Sequence, residues 1–253
     1  MKKLDYILKF IFWGSPLLFW LGWQLILSYP HALWILASVS TLLLIFVAYE
    51  FAGRKWRWRF FFTFISLGLL LNSFYLFISL IALQWIVQIL WLLMLWYLYS
   101  YLLTTVKMNK GADMSEWALT SLYGGLYTTF FSAATLFGFR AFLSLSPWPL
   151  LLVFLIIVFV NTRALAYAQS WNNREYLGFW LFLSLLTTEI VMMISLLPLN
   201  YLIAAILSTL AYYSVINFAR LYINGRLSKR KIKNYAWFTA LSLVLILLTA
   251  RWL

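Results

Sequence analysis

The sequence predicts an all-α fold, a polytopic bundle of about nine transmembrane helices that forms one integral membrane domain over residues 1–253. Three observations carry this expectation. Of the 253 residues, 65% are hydrophobic and 10% charged, against about 45–50% and about 25% in a soluble domain. The apolar residues run in continuous stretches of about 20, the length a helix needs to cross a bilayer. Lys and Arg recur in every second connection and are missing from the connections between.

A soluble fold of this length cannot hide so much apolar surface, because surface scales too steeply with size. A lipid-spanning β-barrel is excluded too, since its strands alternate apolar and polar positions over about ten residues.

Span one, near residues 10–28, follows Lys2, Lys3 and Lys9. It is longer than a signal-peptide core and has no A-x-A site, so it reads as a permanent helix. The turn Ser28-Tyr29-Pro30-His31 carries no Lys or Arg and leads into span two, near 32–52. Arg54, Lys55, Arg57 and Arg59 precede span three, near 60–82. The uncharged Leu83-Gln84 precedes span four, near 85–105. Lys107 and Lys110 separate it from span five, near 118–143. Residues 144–149 carry no cation, and span six follows near 149–170. Arg163 and Arg174 flank the connection to span seven, near 177–197. Leu197-Pro198-Leu199-Asn200 is uncharged and opens span eight, near 200–222. Arg220, Arg226, Lys229, Arg230, Lys231 and Lys233 surround the last connection, before span nine near 235–252.

All nineteen Lys and Arg except Arg140 and Arg251 thus gather on one side, or at that end of a helix. Cytoplasmic connections carry this excess, so the N-terminus is expected in the cytoplasm and the C-terminus outside. The pattern places the chain in a cell membrane.

Most acids read as structural. Asp113-Met-Ser-Glu116 and Asn172-Asn-Arg-Glu175 resemble capping boxes ahead of spans five and seven. Asn224-Gly225 reads as the stop of span eight. Asp5 with Lys9 and Glu50 with Arg54 are i,i+4 pairs. Trp56, Trp58, Trp85, Trp117, Trp148, Trp171 and Trp237 fall near expected interfaces, where amphipathic rings anchor a helix.

Spans one to four can be laid on spans five to eight as a parallel repeat, with halves 1–116 and 117–233 and an added span over 234–253. Gly22-Trp-Gln-Leu-Ile-Leu-Ser28 matches Gly138-Phe-Arg-Ala-Phe-Leu-Ser144, and Ile78-Ser-Leu-Ile-Ala-Leu83 matches Ile194-Ser-Leu-Leu-Pro-Leu199. Such a repeat places its axis along the membrane normal.

Ionisable groups at depth are costly, and each is a candidate site. Glu189 lies about 18 Å into span seven at 1.5 Å per residue. Arg140 lies near the outer end of span five, and the two are expected to pair. The repeat aligns Arg140 with Gln24 and brings Glu189 within a residue of the position matching Asn72. Asn161 and Arg163 in span six and Asn217 in span eight are further polar candidates. Span five carries Ser121, Gly124, Gly125, Ser132, Ala133, Ala134 and Gly138, small residues that suit a central, closely packed helix.

Several chemistries are disfavoured. His31 is the one histidine and there is no cysteine, so no zinc constellation is expected. His31 and the aspartates fall on opposite sides, so no Ser-His-Asp triad is expected. No Walker-type phosphate loop occurs. The expectation is therefore of no enzyme and no cofactor. The basic segment Arg226, Lys229, Arg230, Lys231 and Lys233 suits anionic lipid headgroups at about 1 kcal/mol per residue, and no nucleic-acid module accompanies it. Two roles remain: a non-catalytic membrane component (scaffold, assembly factor or complex subunit), or a small permease or lipid-handling transporter built on Arg140 and Glu189. The five prolines lie near helix ends, so the broken midplane helices common in transporters are not signalled.

Overall fold

The computed structural model describes residues 114–249, except 170, 172–175 and 226, together with Leu70, Phe74, Phe77, Ile78, Gln84–Val87, Ile89 and Leu93. Spans one and two, the first basic turns, Gln24, Asn72, Arg226 and most of the residues that suggest a repeat lie outside the described residues. The chain divides into two compact units, Met1–Asp113 and Met114–Leu253.

In the first unit, Leu70 and Phe74 are helical, Phe77 is in a turn and Ile78 is non-helical. The Phe77 N–H donates to the Phe74 carbonyl at 3.0 Å. Helical backbone resumes by Gln84, whose Nε2 donates to the Ile78 carbonyl at 2.7 Å. The turn between spans three and four therefore begins by Phe77, and not at 83 as expected. The cause is that the turn is itself apolar, and Gln84 supplies the hydrogen bond a polar turn would have advertised. Phe74, Ile78 and Val87 are buried, whereas Trp85, Ile86, Ile89 and Leu93 are exposed.

The second unit consists of five helices: α1 (Met114–Leu143), α2 (Pro147–Ala168), α3 (Leu177–Ser195), α4 (Tyr201–Ile223) and α5 (Lys229–Thr249). All five are long and apolar enough to cross a membrane. They fall on the stretches expected as spans five to nine.

Local chemistry sets most of the boundaries. After α1, Ser144 adopts φ 51°, which turns the chain out of the helix. Pro147 then starts α2, at a first-turn position where a missing N–H costs no helical hydrogen bond. The N-cap of α3 is Tyr176, which makes no side-chain cap bond; the capping box expected over 172–175 lies outside the described residues. Pro198, three residues past Ser195, prevents continuation of α3. Asn200 caps α4 by accepting from the Leu202 N–H at 3.0 Å. At the far end Gly225 has φ +62° and donates its N–H to the Tyr222 carbonyl at 3.0 Å, the αL stop expected of Asn224-Gly225. The backbone ladder of α5 starts with Ile232 N–H on the Ser228 carbonyl. This helix begins at Lys229, ahead of the apolar run, because hydropathy marks only the lipid-facing part of a helix.

Short connections make sequential helices antiparallel neighbours. Helices α1 to α4 pack as a closed ring, each against the next and α4 back against α1. Helix α5 packs on α4, with Ser214 opposite Thr239 (3.1 Å) and the rings of Phe218 and Tyr235 centred 6.1 Å apart. The ring is filled by Ala133, Ala134, Phe154, Val158, Leu165, Trp180, Val191, Ala205, Tyr212 and Ile216, all almost fully buried.

Helix α1 is the central member. From Thr128 to Gly138 it is buried on nearly every side. Gly125 shows how close the approach is: a Cβ there would lie 2.9 Å from the Tyr212 hydroxyl of α4.

Candidate functional site

The bundle interior is polar at many positions, but most of its serine and threonine hydroxyls are spent locally. Thr128, Thr129 and Ser132 of α1 donate to the carbonyls of Gly124, Gly125 and Thr128. Thr162 of α2, Ser184 and Thr187 of α3 and Ser208 of α4 likewise donate to the carbonyl four residues back, at 2.7–2.8 Å. Asn217 does the same, with Nδ2 on the Tyr213 carbonyl at 2.9 Å. Small side chains that satisfy themselves on their own helix let backbones approach without stranding a polar atom. These residues are packing elements.

Three of the candidate groups from the sequence behave differently. The side-chain amide of Asn161 is buried and meets no hydrogen-bond partner among the described residues. The guanidinium of Arg140, in the last turn of α1, donates to the main-chain carbonyl of Ser195 at the last turn of α3. Glu189 of α3 is exposed.

The expected Arg140–Glu189 pair is not formed. Ser195 lies six residues beyond Glu189, about 9 Å along the helix. The guanidinium instead reaches a carbonyl in the last turn of α3, the negative end of that helix. Among the described residues no ion pair joins it to Glu189.

Glu189 instead faces away from the bundle. The buried residues of α3 are Trp180, Leu183, Ser184, Thr187 and Val191, a single helical stripe. At 3.6 residues per turn, Glu189 falls roughly 180° from the centre of that stripe. It opens onto a groove of about 430 Å³ between α2 and α3. One wall is Trp148, Leu151, Leu152 and Leu155, and the other is Leu185, Thr188, Glu189 and Met192. Each wall is an i, i+3, i+4, i+7 stripe, so two regular helices suffice to build it.

No family model, curated protein or solved structure matches the chain. The site is therefore read from its own geometry.

Thr188 donates to the Ser184 carbonyl at 2.8 Å, which leaves its oxygen lone pairs free to accept. The α3 wall of the groove thus offers two acceptors, a carboxylate and a hydroxyl oxygen, among apolar side chains, and the one side-chain donor lining the groove is the Trp148 indole N–H on the α2 wall. The complement of the two acceptors is a cation or a hydrogen-bond donor with an apolar body.

The other sequence candidates fall elsewhere. Asn161 and Arg163 lie in the second half of α2, towards Ala168, whereas the α2 wall of the groove lies in its first half. Lys229, Arg230, Lys231 and Lys233 are exposed on the first turns of α5. Trp171, expected at an interface, is stacked on buried Trp180, with centroids 6.1 Å apart and planes 13° from parallel. The two rings cap a cluster with Ala166, Leu183 and Ala219 at the end of the ring opposite Arg140. Trp148 and Trp237 are exposed, as anchoring residues are. Sequence reasoning missed the groove walls. The stripe periodicity around Glu189 held that signal, but a uniformly apolar helix gives no contrast by which to see it.

Proposed function

We propose that this chain is a non-catalytic component of a cell membrane, a scaffold, assembly factor or complex subunit, that acts by lateral association with another membrane protein. The observation that carries this reading is the direction of Glu189. A carboxylate serving a transport path would face the bundle interior or a water-filled cavity. Glu189 lies opposite the buried face of α3.

The permease reading drew on the parallel repeat and on an Arg140–Glu189 pair, and of these the pair is missing, because Arg140 binds Ser195 instead. The proposal keeps about nine spans, with the N-terminus in the cytoplasm and a parallel repeat of four and four plus one. It also keeps the basic run through Lys233 as a contact for anionic headgroups, supported by the exposure of Lys229, Arg230, Lys231 and Lys233.

Native mass spectrometry of the chain released from its own membrane in lipid discs tests this. The expected result is one partner polypeptide at fixed stoichiometry. A lone chain that also drives substrate-dependent uptake into proteoliposomes contradicts it.

A further inference from the structure

We propose that the groove between α2 and α3 seats a transmembrane helix of a partner protein bearing a lysine or arginine, with Glu189 as its counter-charge. This rests on the membrane-component reading and names the surface and chemistry of its contact.

Four observations converge. Glu189 is the one acid well inside a described helix, and no hydrogen bond or ion pair engages it among the described residues. A charged group against acyl chains is costly, and such residues normally pair. The groove supplies a second acceptor, the Thr188 oxygen, beside the carboxylate. An ammonium carries three donors and a guanidinium five, so either can use both. The walls are two helical stripes, mostly apolar on α2 and with Leu185 and Met192 flanking Thr188 and Glu189 on α3, a surface into which the ridge of a third helix packs.

Depth selects a helix over a lipid. Glu189 lies six residues, about 9 Å, inside the end of α3. The amine of a phospholipid sits in the headgroup layer, and only its acyl chain reaches that depth. A lysine or arginine on a spanning helix brings its cation there.

Charge selects a different protein over a second copy. A two-fold pair through this groove brings the same patch against itself, and no residue lining that patch is a cation that could meet Glu189. Arg140, the described cation at this end of the bundle, is held by Ser195.

The test uses the full chain in proteoliposomes, with benzoylphenylalanine in place of the exposed Leu152 as a photo-crosslinker. The probes are leucine-rich spanning peptides with one lysine six residues from one end, or with none. The lysine peptide should crosslink at least tenfold more than the all-leucine peptide. Glu189→Leu should bring the ratio to about one, and Glu189→Gln should lower it several-fold. Leu185→Trp, which fills the groove from the other wall, should suppress crosslinking with Glu189 intact. Melting of each variant at or above that of the parent chain shows that the fold survives. Equal crosslinking of the two peptides overturns the proposal, as does a ratio indifferent to Glu189. Adducts only to lipid, to a second copy, or to residues 1–113 of the same chain also overturn it. If the peptides fail while a fixed-stoichiometry complex persists in native membranes, the groove assignment falls and the component reading stands.

Discussion

The guanidinium of Arg140 donates to the main-chain carbonyl of Ser195 and ties the end of α1 to the end of α3 across the bundle. These helices are not neighbours in the ring, so the bond is a diagonal brace. Arg140→Ala should destabilise the protein by about 1.5–3 kcal/mol, the worth of a hydrogen bond to a charged group. Thermal unfolding in detergent measures this. In the isolated protein Glu189→Gln should not destabilise the fold and should raise its stability, because it removes an unpaired charge from the acyl-chain layer. The double-mutant cycle between positions 140 and 189 should show no coupling beyond about 0.5 kcal/mol.

Gly125 and Tyr212 define the closest approach of α1 to α4. Gly125→Ala puts a Cβ 2.9 Å from the Tyr212 hydroxyl and should cost about 1–3 kcal/mol by overpacking. Tyr212→Phe should restore most of it, because the remaining ring atoms stand at 3.6 and 3.7 Å, ordinary contact distances. The Tyr212 hydroxyl lies beside Thr162 without hydrogen-bond geometry, so Tyr212→Phe alone should be close to neutral. Unfolding of the three variants separates steric from polar effects.

How much of this was legible beforehand depended on contrast. Helices α1 to α4 lie within four residues of the expected spans at each end, because lipid-length apolar runs broken by cationic or proline-bearing connections are a strong signal. The turn at Phe77 was misplaced because it is as apolar as its helices. The start of α5 was misplaced because its first turn is cationic yet helical. The stop at Asn224-Gly225 was legible from glycine chemistry, whereas the cap at Asn200 was read only as part of an uncharged turn. Glu189 stood out as a charge at depth. Its direction did not, since that depends on which face of α3 the other helices cover.

The link between α4 and α5 has an assignable direction. Ser214 has a single hydroxyl proton and donates it to the Leu210 carbonyl at 2.8 Å. In the 3.1 Å contact with Thr239, the threonine is therefore the donor. Thr239→Val should cost about 0.6 kcal/mol, the average for interhelical hydrogen bonds in bilayers. It should raise hydrogen exchange in α5 and leave α1 to α4 unaffected, because the ring closes without α5.

Among the described residues two connections carry left-handed backbone, one on glycine and one not. Ser144 has φ 51° and Gly225 φ 62°. Ser144→Gly should stabilise the protein by about 0.5–1 kcal/mol, and Gly225→Ala should destabilise it by about 1–2 kcal/mol. Both residues are exposed, so packing does not obscure the comparison of melting temperatures.

The central claim is that the helices of residues 114–249 cross a bilayer in alternation, with the basic connections in the cytoplasm. The chain has no cysteine, so single substitutions report cleanly. Ser146→Cys, between α1 and α2, and Leu227→Cys, between α4 and α5, are exposed positions at opposite ends of the bundle. With a membrane-impermeant maleimide on intact cells, Ser146→Cys should label at once, and Leu227→Cys only after permeabilisation. Labelling of both from the same side, or in the reverse order, would contradict the account.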